Sequence, residues 1–102
     1  MLRYLSMIFA ACLALGLAGP AGAAGDVDSG KKLAAKCSGC HGKMGEGKSK
    51  NPPIAGIEAG SHVKMLQDYK SGARDHKGMM RAVAKLSDQD MADIAAYYAT
   101  LK

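Results

Sequence analysis

Residues 36–42 read KCSGCHG, with Cys37 and Cys40 three apart and His41 directly after them. The chain has 3 cysteines in 102 residues, and the third, Cys12, stands apart in an apolar N-terminal run. So dense a cluster of two thiols and an imidazole suits four chemistries: a disulfide, a zinc ion, a redox dithiol or a covalently attached haem.

A disulfide across two residues closes a very small loop. It removes little entropy from the unfolded chain and strains easily. A thioredoxin-like dithiol sits at the start of a helix that follows a strand. Here the pair comes at the end of a helical stretch, and no segment alternates with the period of a strand. Zinc would need a fourth ligand, from His62 or His76, and would have to accept Cys40 and His41 as chain neighbours. Haem uses every residue: the two thiols add across the two vinyl groups, and the next residue projects an imidazole over the ring towards iron. Cys-x-x-Cys-His is the attachment signature of that arrangement.

The flanking sequence agrees. Residues 1–24 begin with Arg3, run apolar from Leu5 to Leu17 and end in small residues, GPAGAA. This is the order of a secretory signal peptide, cut after Ala23 or Ala24. The expected domain organisation is therefore a removed leader, 1–24, and one domain, 25–102, with a periplasmic destination. Removing 24 of the 102 residues leaves 78, with Tyr69, Tyr97 and Tyr98 as their only aromatics. A domain so small normally needs a staple, and a large apolar cofactor would complete its thin core.

The 14 basic and 9 acidic residues give a net charge of +5. The lysines are scattered and not interleaved with aromatics, so a nucleic-acid surface is not expected.

Four helical segments are predicted. The first spans about 29–37, capped by Asp28, with Gly30 and Ala34 forming a small-residue stripe that admits another helix. The second spans about 62–71, capped by Ser61 and stopped by Gly72. The third is short, about 80–85. The fourth follows Leu86-Ser87-Asp88-Gln89-Asp90, a capping sequence, and places Met91, Ile94, Ala95, Tyr98 and Leu101 on one apolar face. Between the first two helices, residues 42–56 hold four glycines and two prolines and read as an irregular loop. The fold class is all-α, with about four short helices wrapped around one covalently bound haem.

Iron on His41 has a second axial position. Met44 is too close in sequence to reach the opposite face. Met65 and Met91 fall within helices, where packing is the ordinary duty of methionine. Met79 and Met80 follow a loop long enough to wrap the ring, and His62 and His76 compete with them. A thioether ligand favours Fe(II) more than a second imidazole does. With both positions filled by protein, the centre exchanges electrons and does not act as an enzyme.

The residues GKKLAAKCSGCHG, the loop ending PPIAG, YKSGARDHKGMM and KLSDQDMADIAAYYATL together resemble the class I c-type cytochromes of the short bacterial monohaem kind. They are also similar to either half of the dihaem bacterial cytochromes c. The likeness covers nearly all of 26–102. It implies a cytochrome c fold and a single haem c carried by Cys37 and Cys40 with His41 as proximal ligand. The axial methionine of the family stands eight residues before the Ser of the Leu-Ser-Asp cap, which selects Met79 over Met80. Pro52 matches the proline whose carbonyl takes the proton of the proximal imidazole. Ile57 and Ser61 depart from the Gln and Tyr common in relatives. The expected function is periplasmic one-electron transfer between redox-partner proteins docking at an exposed haem edge, steered by Lys36, Lys43, Lys77 and Arg81. The alternative is a haem subunit of a larger oxidase, dehydrogenase or sulfur-oxidising complex.

Overall fold

The computed structural model describes residues 24–101. The expected leader lies outside the described residues, but for Ala24 at its end.

Asp26 starts the first helix, its carboxylate accepting the N–H groups of Asp28 and Ser29. Helix α1 runs Val27–Leu33 and α2 runs Ala35–His41, joined at Ala34. The sequence predicts one helix from 29 to 37 with Asp28 as its cap. The observed one begins earlier because Asp26, not Asp28, has the extended backbone a cap requires. It also runs four residues further, through the whole of CSGCH. Gly39 does not end it, because the exposed carbonyls beyond find partners in the loop. The Asn51 amide donates to the Cys40 carbonyl at 2.9 Å, and the Gly47 N–H donates to the His41 carbonyl at 2.7 Å. Gly42, at φ 94°, makes the stop that a residue with a side chain resists.

Helix α3 spans Ala59–Ser71. Its cap is Glu58, whose carboxylate accepts from Gly60 and Ser61 N–H and from the Ser61 hydroxyl. Ser61, the predicted cap, therefore sits one turn inside. Gly72 ends the helix in the left-handed region, as predicted. Helix α4 spans Lys77–Val83 and is capped by His76, whose Nδ1 accepts the Met79 N–H at 3.2 Å. Histidine lies outside the usual capping residues, so the sequence reading starts this helix late. Helix α5 spans Asp88–Ala99 under the predicted capping box, with Ser87 and Asp90 each bonding the other's backbone.

Helix α1 lies across α5, and α3 packs on both α4 and α5. Leu66, Val83, Leu86, Met91, Ile94 and Tyr98 form the core between them. Each such side chain contributes about 1.5–3 kcal/mol on burial. The α1–α5 crossing is tight because Gly30 has no side chain. A Cβ there would stand 1.9 Å from the Asp93 carbonyl oxygen and 2.9 Å from the Tyr97 Cβ. Asp93, 6% exposed, ties the crossing by accepting from the Asp26 N–H at 2.7 Å and the Gln89 amide at 2.9 Å. Among the described residues, the sole β pairing is an isolated bridge between Lys48 and Asn51.

Candidate haem site

The 42–56 loop folds back on itself and hangs from the last helix. Ile54 and Ala55 donate to the Gly45 carbonyl, and Gly56 donates to the Tyr98 carbonyl at 2.8 Å. Gly45, at φ 69°, lies flat on the Tyr98 ring, where a Cβ would stand 2.8 Å from Cε1. This brings Pro52 beside α2. The Pro52 carbonyl accepts the Nδ1 proton of His41 at 2.8 Å. A histidine bonded in this way is the Nδ1–H tautomer, so Nε2 keeps the free lone pair that binds a metal. His41 is 7% exposed, so its ring has little freedom to turn away.

His41 is part of the wall of a cleft with about 550 Å³ of empty space, counting the part open to solvent. Residues of α2 and the loop after it, among them Cys37, Cys40, His41 and Pro52, line it together with Tyr69, His76, Gly78, Met79 and Ala82. Arg74 covers the Tyr69 ring, 5.8 Å from its centroid.

The predicted residues Cys37, Cys40, His41, Pro52 and Met79 thus meet in one cleft, and Met80 is not part of its wall. His76 is, but its Nδ1 already caps α4. His62 is not; it is buried against Tyr98, with ring centroids 5.7 Å apart. Met44 is exposed on the loop, and Met91 is core.

Cys37 and Cys40 do not form a disulfide with each other. Burial pushes the Cys37 thiol above its ordinary value. Among the described residues, no group of three His, Cys, Asp or Glu side chains is placed to share a metal ion. The donor set fits haem: one imidazole with a free nitrogen, one thioether, and two thiols on a mainly apolar wall. The sequence reading missed Asn51, which pins the Cys40 carbonyl, and Glu58 and Asp93, which fix helix ends. An acidic residue beside a helix gives no pattern that separates such work from a solvated surface.

Comparison with known proteins bears on the same cleft. The family model described as cytochrome c matches residues 27–102. The chain is 45% identical over 91 residues to cytochrome c4 of Pseudomonas aeruginosa, covering 88% of this chain and 45% of that one. It is 37% identical over 91 residues to cytochrome c-554(547) of Halothiobacillus neapolitanus, covering 78% of this chain and all of the other. Among solved structures, cytochrome c4 of Acidithiobacillus ferrooxidans superposes with a TM-score of 0.71 at 25% identity. That match covers 76% of this chain and 51% of the other. Reduced cytochrome c4 of Pseudomonas stutzeri gives 0.69 at 27%, covering 78% and 52%. The chain spans about half the length of the cytochromes c4 it matches.

Proposed function

Since the chain belongs to the cytochrome c family, and so carries a single covalent haem c with His/Met ligation for electron transfer, we propose that it serves as a periplasmic one-electron shuttle. In this reading Cys37 and Cys40 would hold the haem as thioethers, and His41 Nε2 and Met79 Sδ would bind its iron. The bound group supplies an Fe(II)/Fe(III) couple. The observation that carries the assignment is the His41–Pro52 hydrogen bond beside a cleft that Met79 also lines.

The residues divide the work. Pro52 fixes the imidazole plane and raises the basicity of Nε2 by drawing on the Nδ1 proton. A thioether from Met79 favours the reduced state and lifts the potential. Two protein ligands leave no open position for substrate. Lys36, Lys43, Lys77 and Arg81 are all exposed, and Lys36 stands on the cleft wall itself. They would steer an acidic redox partner to the cleft opening, where a small, brief contact suits rapid exchange.

The ligand assignment is tested by the long-wavelength charge-transfer band of oxidised His/Met haem. Met79→Ala abolishes it and Met80→Ala keeps it; the reverse result overturns the choice. The mass of protein released from the periplasm tests processing, which is expected to leave Ala24 or Gly25 first. Purification in a fixed complex with other subunits would count against a free shuttle.

A further inference from the structure

Among the described residues, two buried polar side-chain atoms have no hydrogen-bond partner: Nδ1 of His62 and the hydroxyl of Tyr98. His62 is 3% exposed and Tyr98 is 0% exposed. Buried polar groups are costly to leave unpaired, yet these two lie on neighbouring rings, 5.7 Å apart and tilted by 47°. Neither atom takes part in the haem assignment above.

The surroundings restrict both rings. Gly45 lies against the Tyr98 ring from the loop side, and Ile94 and Leu66 are buried in the same core. His62 sits in the first turn of α3, which Glu58 fixes. What remains adjustable is the phenol hydrogen, the imidazole tautomer and one water between them. Burial pulls His62 down to about 4, so the ring is neutral near pH 7 and offers one nitrogen as acceptor. Burial raises Tyr98 above its ordinary value, so the phenol keeps its proton. The donor is on one ring and the acceptor on the other.

The Tyr98 hydroxyl is also close enough to Cys37 to perturb its thiol. A thioether sulfur has no proton to give and is a weak acceptor. Haem attachment at Cys37 therefore leaves His62 as the better partner for the phenol.

We propose that Tyr98 donates its hydroxyl proton to one buried water that in turn donates to Nδ1 of His62, and that this couple tunes the reduction potential from behind the Cys37 attachment. The inference rests on haem being held at Cys37, as assigned above. A fixed dipole in a water-poor interior acts strongly on a nearby charge. Its orientation sets which oxidation state it favours, because the oxidised centre carries one more positive charge than the reduced one. Removing it therefore shifts the potential. His62 and Tyr98 are positioning residues, acting on the iron through their field and touching none of its ligands.

The test uses the holoprotein and its variants His62→Leu, Tyr98→Phe and the double change, with midpoint potentials from spectroelectrochemical titration. The two single changes are expected to shift the potential in the same direction, and the double change to match the larger single shift. Additive shifts overturn the couple, and unchanged potentials overturn its tuning role. If the variants do not fold, nitrogen-15 NMR of the reduced natural protein decides. A neutral imidazole with a hydrogen-bonded, unprotonated Nδ1 is expected; a cationic ring or an unbonded Nδ1 overturns the proposal. The visible spectra of the same samples report haem attachment and His/Met ligation separately, so loss of the couple is distinguished from loss of the carrier reading.

Discussion

Gly30 has a hydrogen where any other residue would put a carbon against the Asp93 carbonyl, 1.9 Å away. Gly30→Val therefore forces α1 off α5. We expect it to cost about 1–3 kcal/mol as overpacking, read as a lower urea midpoint at unchanged spectrum. Asp93→Ala removes the acceptor for the Asp26 N–H and the Gln89 amide at the same crossing. It should cost about 1–3 kcal/mol by leaving a part-buried donor unpaired, again by urea unfolding. Gly30 was legible in the sequence, because a small residue paired with another four positions later marks a close crossing. Asp93 was not. An acid on a helix reads as solvated until the backbone of a segment 67 residues away is seen to need it. The residues proposed to hold haem stand out for a different reason: that chemistry fixes their spacing, so CSGCH suggests it without any fold. Pro52 was read only by likeness to relatives, since nothing local to a proline says whose proton its carbonyl receives.

Helix ends divide in the same way. The Ser87–Asp90 box was visible because serine followed three later by an acid is a reciprocal pattern. Ser87→Ala should cost about 1 kcal/mol, measured by thermal or urea unfolding. Glu58 and His76 were not visible as caps, because neither belongs to the residues whose short side chains usually reach the first turn. The Glu58 cap has a pH signature. Hydrogen bonds from Gly60 and Ser61 lower its folded pKa from 4.5. A lowered folded value means the contribution is complete above the unfolded value and is lost as pH falls through the folded one. Stability should therefore decline below about pH 4.5, and Glu58→Gln should flatten that decline in urea titrations run from pH 7 to pH 3. An identical acid slope in the variant would assign the decline to other carboxylates.

At the scale of the whole molecule, the packed core lies beside a cleft that it does not fill. Leu66, Val83 and Met91 are buried, but Tyr69, Met79 and Ala82 line open space. Protein made as Cys37→Ala with Cys40→Ala, which cannot attach haem, should lack a cooperative thermal transition and sharp near-ultraviolet dichroism while keeping part of its helical signal. A cooperative transition in that variant would show that the helices suffice alone. Scattered lysines on the surface predict a second whole-molecule behaviour. Electron exchange with an acidic partner should slow as ionic strength rises, measured by stopped flow between low and physiological salt.

The Asp26–Asp93 bond joins segments at nearly opposite ends of the domain. A polypeptide threaded outward from its amino terminus exposes Cys37 and Cys40 long before Asp93 emerges. Until α5 arrives, α1 has nothing to lie against, and Gly45 has no Tyr98 ring to rest on. Should the two thiols take up the pigment in that interval, the last dozen residues would act as a latch that shuts with the cargo aboard.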